Sequence, residues 1–273
     1  MLKQRYLTHF VLVIALLSVI TSCRNASNTS GATTSDTVQF HSIVIRDSIF
    51  DSKKSSIIVD ANISLPDANK QLFRLFTKEL LGINGDSIDA NQAVKSYVNN
   101  ILDFYKSPGD TIESDLEDET EKVSRYEICH RIVPIYNAAG IVSIKKTTSL
   151  TKNGTSTMNT NAYITFDVYK MTRIGIDDII NEEYISDVED LLKEQLMKQE
   201  DVTNQSQLFD MGYFNIDNLS ASHNFYITNK SIVFAYQPYE IACLQVGEVC
   251  IPLTFKQLDP YKKDNDFTAK LFD

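Results

Sequence analysis

Three consecutive runs rich in Val, Ile, Thr and Tyr, at residues 123–136, 141–150 and 162–169, are separated only by turn residues. With turn residues between them, the runs read as a meander. Upstream, residues 38–50 alternate as a strand and 56–65 supply its partner. Pro66 and Asp67 then open a helix over 67–81, with Leu72, Phe73, Phe76, Leu80 and Leu81 on one stripe and Gly82 as the stop. A second helix starts near Asp89, carries Val94, Val98, Ile101, Leu102 and Tyr105 inward, and ends at Pro108-Gly109.

Downstream of the meander, 174–180 reads as a connecting loop with an apolar tail. Ser186 caps a third helix whose face is Val188, Leu191, Leu192, Leu196 and Met197. Strands follow at 224–228 and 231–236 around an Asn229-Lys230 turn, with a last strand at 248–255 and a polar tail over 263–273. Strands and helices come in blocks, not in βαβ alternation. The fold class is therefore α+β, as two mixed or antiparallel sheet subdomains with packed helices, at 38–135 and 136–262. The stripe on 67–81 is wider than a two-stranded hairpin can cover, which assigns the 122–136 strand to the N-terminal sheet.

The first 22 residues read as an export signal. Lys3 and Arg5 form a positive start, residues 10–20 an almost continuous apolar stretch, and Ile20-Thr21-Ser22 precede Cys23. The stretch is shorter than the roughly 20 residues that a spanning helix needs. A cysteine behind small residues is the lipobox pattern of a bacterial lipoprotein, and Cys23 is the expected lipidation site. Residues 23–37 then form a Ser/Thr/Asn-rich tether that lacks the apolar surface to fold. The expected location is the cell envelope, anchored by acyl chains (palmitate among them) in the outer or inner membrane and facing the periplasm.

Charge narrows the partners. The 273 residues hold 26 Lys+Arg against 36 Asp+Glu, and loss of Lys3 and Arg5 with the signal shifts the net charge from −10 to −12. An acidic chain offers no surface for phosphate backbones or anionic head groups, so neither nucleic acid nor the bilayer surface is a partner beyond the lipid itself. Between Glu113 and Glu121 six of nine residues are acidic, without the glycine or spacing of a calcium loop, and a solvated segment is expected. Four cysteines are present; with Cys23 lipidated, Cys129, Cys243 and Cys250 remain. A Cys243–Cys250 disulfide and two buried thiols are equally open readings.

In the C-terminal third, Asn224-Phe225-Tyr226-Ile227-Thr228, Ile232-Val233-Phe234, Tyr239-Glu240-Ile241, Gly247-Glu248 and Ile251-Pro252 follow in an order that resembles the RsiV-like domain of bacterial envelope proteins. Phe166-Asp167-Val168 and Ile176-Asp177-Asp178-Ile179-Ile180 are similar to that domain's strand and loop ahead of its helix, and the likeness covers about 136–262. More weakly, 38–135 is similar to the small α+β domain that accompanies PdaC-like deacetylases. The family's Gly-Gly-Ala-His turn is replaced here by Asn153-Gly154-Thr155-Ser156-Thr157, so any role of that histidine does not transfer. One family member is an anti-sigma factor whose external domain binds lysozyme. This chain has only a few polar residues ahead of its apolar stretch, so the sigma-factor role does not transfer either.

Chemistry-bearing motifs are sparse. His41, His130 and His223 have no metal-ligand spacing, and no cofactor or nucleophile motif is present in the sequence. No catalytic or metal residues are assigned. Asp167 and Glu240 are the one carboxylate pair that could serve glycoside hydrolysis. Set against that, Tyr239 and Glu240 read as a turn, with the ring packed and the carboxylate capping backbone N–H groups. Asp36-Thr37-Val38 is the best placed of four Asp-Ser/Thr-aliphatic triplets that resemble the O-glycosylation acceptor of Bacteroidetes, making Thr37 a candidate acceptor. The expected function is a non-catalytic binding module for a lysozyme-like protein or a cell-wall glycan. The alternative is a carboxylate hydrolase acting on peptidoglycan or polysaccharide.

Overall fold

The computed structural model describes residues 37–50, 56–67, 69–86, 88–106 and 125–272. The signal, Cys23, the tether up to residue 36 and the acidic run at 113–121 lie outside the described residues. Six strands form one mixed sheet in sequence order: β1 (Phe40–Phe50), β2 (Ser56–Pro66), β3 (Arg125–Ala138), β4 (Ile141–Lys152), β5 (Thr155–Asp167) and β6 (Thr172–Ile174). Every neighbouring pair is antiparallel except β2–β3, which is parallel. That one parallel step requires a crossover, and α1 (Lys70–Phe76) and α2 (Ala90–Lys106) lie within it. The assignment of the 122–136 strand to the N-terminal sheet holds.

Local chemistry explains the helix ends. Pro66 closes β2 and does not open the helix; Asn69 caps α1 by accepting from the N–H groups of Gln71 and Leu72. Thr77 turns its hydroxyl onto the carbonyls of Phe73 and Arg74, where α1 widens into a single π turn, Thr77–Leu81. Gly82 then ends it at φ +67°. Asp89 and Gln92 exchange side-chain and backbone hydrogen bonds at the start of α2. The first core lies between these helices and the sheet. Phe76 stacks on Phe166 of β5 at 4.5 Å between ring centroids, and Val59, Ile63, Val98, Ile132 and Ile144 close around them.

The second core is built on α3 (Ile185–Gln199) and an antiparallel sheet of β7 (Phe225–Ile227), β8 (Ser231–Tyr236) and β9 (Val249–Thr254). Strand β8 is central and buried along its whole length. Val188, Leu192, Leu196, Phe234, Ile251 and Leu253 meet here. The small sheet leans on the large one through Ile227 N–H, which donates to Ser143 Oγ at 3.1 Å, and Asn224 Oδ1, which accepts from Tyr163 N–H at 2.7 Å.

Several expectations need correction. The expected boundary between 135 and 136 falls inside β3, at a bulge between Pro134 and Tyr136. The meander serves both cores, since Val142, Ile144 and Phe166 belong to the first and Ile141 and Ile174 to the second. Residues 174–180 begin with the last residue of a sixth strand and continue as a 3-10 turn. Ser186 lies within the third helix, after a turn headed by Asn181. A short helix, α4 (Gln205–Asp210), occupies the polar stretch around Asn204. The supposed polar tail forms α6 (Asp266–Phe272), after the short α5 (Phe255–Leu258), and buries Phe267 and Leu271.

Candidate functional site

The two carboxylates weighed for hydrolysis are each committed to a turn. Asp167, buried at the end of β5, accepts from the N–H groups of Tyr169 and Lys170 at 2.9 and 3.0 Å. Glu240 accepts from Gln237 N–H at 2.9 Å, as the turn reading expected. Tyr239 differs from the expected packed ring: the residue is 67% exposed. His41 and His223 are exposed, whereas His130 lies on the helix-covered face of the large sheet. Its Nδ1 sits 2.9 Å from Tyr97 Oη and 3.4 Å from Thr148 Oγ1. Burial, then the nearby Lys146 ammonium, push its pKa down to about 4. Cys129, Cys243 and Cys250 are all free thiols. Burial pushes the Cys250 thiol up, away from the thiolate that reactive cysteines need.

Two loops form a surface that sequence reasoning did not assemble. The chain after α4 is zipped to the loop between β8 and β9: Phe214 N–H donates to Ile241 O, Cys243 N–H donates to Gly212 O, and Tyr213 bridges Ala242. Met211, Tyr239 and Leu244 on these loops and Phe209 at the end of α4 are four of the exposed large apolar side chains, with Phe209 72% exposed. A depression of about 300 Å³ beside Phe209 is lined by Tyr213, Phe214, Asn215 and Asp217. Tyr239 is held at φ +72°, a conformation that bulky residues avoid, by its N–H bond to Ala242 O. Strain spent on presenting an exposed ring points to use of that ring.

Charge sets this surface apart. From residue 199 to 255 Lys230 is the sole Lys or Arg, against Glu200, Asp201, Asp210, Asp217, Glu240 and Glu248. Asp201, Asp210, Asp217 and Glu240 are exposed. Glu200 accepts from Tyr213 Oη at 2.8 Å and, after burial, helps to push that phenol's pKa up. An apolar centre within a carboxylate field suits a cationic, partly apolar partner. The missed signal was the near-absence of basic residues over this long stretch.

Glu248 has a different task. It accepts from Asn161 Nδ2 at 2.9 Å, Tyr163 Oη at 3.3 Å and Gln237 Nε2 at 3.3 Å. It therefore ties β5 to both ends of the β8–β9 loop and fixes the frame behind Tyr239. Among the described residues, no cluster of three or more His, Cys, Asp or Glu could hold a metal ion. No described helix is long and apolar enough to cross a membrane.

Residues 177–256, which take in α3, both loops and the small sheet, match the family described as DUF3298, a protein of unknown function. The chain carries a DUF3298 domain. Its fold is shared more widely than that span. The crystal structure of a DUF3298 family member from Bacteroides fragilis NCTC 9343 superimposes with a TM-score of 0.70 at 19% identity, over 87% of this chain and 99% of the other. A DUF3298 family protein from Pseudomonas aeruginosa PAO1 gives 0.59 at 13% identity, over 84% of this chain and 96% of its own. Those coverages include the N-terminal core, so the arrangement of both cores recurs among DUF3298 structures. No curated protein matches the chain.

Proposed function

We propose that this protein is a lipid-anchored, envelope-facing binding module without catalytic activity, whose DUF3298 domain receives a cationic protein on its acidic, apolar loops. The observation that carries the reading is the placement of Phe209 at the end of α4 and of Met211, Tyr239 and Leu244 on two zipped loops, within a stretch almost free of basic residues. An aromatic anchor with a polar rim is how protein interfaces concentrate affinity. The RsiV-like resemblance, with a PdaC-type domain ahead of it, implies a lysozyme-like protein as the ligand. A cell-wall glycan is the weaker candidate, because the loop carboxylates add nothing to recognition of a neutral sugar. Hydrolysis is less well supported still, since Asp167 and Glu240 both serve turns. In this reading Cys23 carries the lipid and Thr37 is the glycan acceptor.

Surface plasmon resonance on the full-length protein in detergent, with lysozyme and soluble peptidoglycan fragments as analytes, tests the proposal. Lysozyme should bind, and Tyr239→Ala and Phe209→Ser should each weaken it at least tenfold. Binding of peptidoglycan alone, or lysozyme binding indifferent to both substitutions, contradicts it. Palmitate labelling tests the anchor separately: incorporation should vanish in Cys23→Ala, and retained label would disprove lipidation there.

A further inference from the structure

On the helix-covered face of the large sheet, α2 and the inner face of β3 and β4 fail to close on one another. They leave a cavity of about 320 Å³ whose described walls include Leu81, Ile101, Ile128 and Leu150 together with the rings of Tyr97, Phe104, Tyr105 and His130. A dry cavity of roughly half that volume already accommodates benzene. Rings line the space from both sides, from α2 and from the sheet. Tyr97 and His130 meet edge-on at 5.5 Å between centroids, and Phe104 stands 70% exposed in the cavity wall. Flat apolar guests gain from such edge-to-face and offset contacts.

The polar end of the cavity is oriented. Tyr97 Oη lies 2.9 Å from His130 Nδ1, and because a phenol O–H is a stronger donor than an imidazole N–H and an imidazole nitrogen a stronger acceptor than a phenol oxygen, the phenol is assigned as the donor. The neutral imidazole then carries its own proton on Nε2. Among the described residues Nε2 has no hydrogen-bond partner, yet no sealed side-chain nitrogen or oxygen lacks one. Nε2–H is therefore open to the cavity that His130 lines. Lys146 adds positive potential at the same end: its ammonium lies 5.4 Å from the Tyr97 ring centre. It donates to Leu80 O and has no carboxylate partner among the described residues.

From these observations we infer that the cavity is a binding site for a small aromatic carboxylate, its ring among Tyr97, Ile101, Phe104 and Leu150 and its carboxylate accepting from His130 Nε2–H. An aliphatic acid would lose the ring contacts, and an uncharged ring would leave the donor unmet. The site is independent of the loop surface and serves a different class of ligand.

Ligand-observed fluorine NMR tests this on the full-length protein in detergent, with 4-fluorobenzoate as the probe, 4-fluorotoluene as the ring without an acceptor, and micelles alone as the blank. The protein should broaden 4-fluorobenzoate beyond the blank, with at least tenfold weaker binding of 4-fluorotoluene. His130→Phe should lower 4-fluorobenzoate affinity at least tenfold. Ile101→Trp, which fills the cavity from a half-buried position, should do the same if the first variant does not fold by circular dichroism. No broadening beyond the blank, equal binding of the two probes, or unchanged affinity in whichever variant folds overturns the assignment.

Discussion

The loop surface and the α2 cavity both expose aromatic rings, yet their physics is opposite. On the loops the rings stand proud in a field of carboxylates, and the polar groups behind them are satisfied: Glu248 takes three donors and Glu240 caps its own turn. In the cavity the rings face inward, no carboxylate lines the described walls, and one imidazole nitrogen is left unmet. The contrast shows how an open hydrogen-bonding group and a closed one distinguish a small-molecule site from a docking surface. A closed network holds shape for a large partner, while an open donor waits for a ligand atom.

The largest way to sharpen the contrast is acid. His130 binds no proton in the folded state until pH falls to about 4, while the unfolded chain protonates it near 6.5. Between those values the unfolded state holds the extra proton, so stability falls as pH is lowered. Chemical denaturation should show a loss of up to about 3 kcal/mol from pH 7 to pH 4 in excess of that seen in His130→Gln. Parallel pH profiles for the two proteins would remove the claim of a buried neutral imidazole.

Next in size is the seam. Removing the Glu248 carboxylate leaves Asn161, Tyr163 and Gln237 without their acceptor. Glu248→Ala should cost about 2 kcal/mol in urea denaturation and weaken lysozyme binding, because the loop frame loosens. Full stability in that variant would mean the network is not a tie between the sheets. Smaller is the effect of salt. Raising ionic strength from 50 to 500 mM should weaken lysozyme binding about tenfold by screening the loop carboxylates, and leave other interface contacts in place. Of comparable size is the effect at the β3–β4 turn, where Gly140 sits at φ +74° and an added methyl would meet the Tyr169 ring. Gly140→Ala should lower the thermal midpoint through a penalty of about 1–2 kcal/mol.

Much of the fold was legible because periodicity and turn chemistry are local. The meander, the hairpin ahead of it, α2, and strands β7 to β9 follow from alternation, 3.6-residue stripes and their stops. Elements too short to show a period were not legible: β6 has three residues and α4 six, and α6 offers only Phe267 and Leu271 as a stripe. The sharing of the meander was hidden for a different reason. Ile141 and Val142 are adjacent in sequence but face opposite cores, and a run buried on both faces carries no alternation to read. The site was legible only as composition. Tyr239 and Glu240 could be placed in a turn, whereas their pairing with Met211 and Phe209 depends on the zipper at Gly212 and Cys243. The His130 environment depends on β3 register against β4 and on α2, contacts separated by up to 33 residues.

Where a cationic partner touches the protein is the deciding observation. Hydrogen exchange of the full-length protein in detergent, with and without lysozyme, should show new protection concentrated at residues 205–217 and 237–246, with α2 unchanged. Protection confined to α2 and β1–β3, or no protection on either loop at saturating lysozyme, would contradict it.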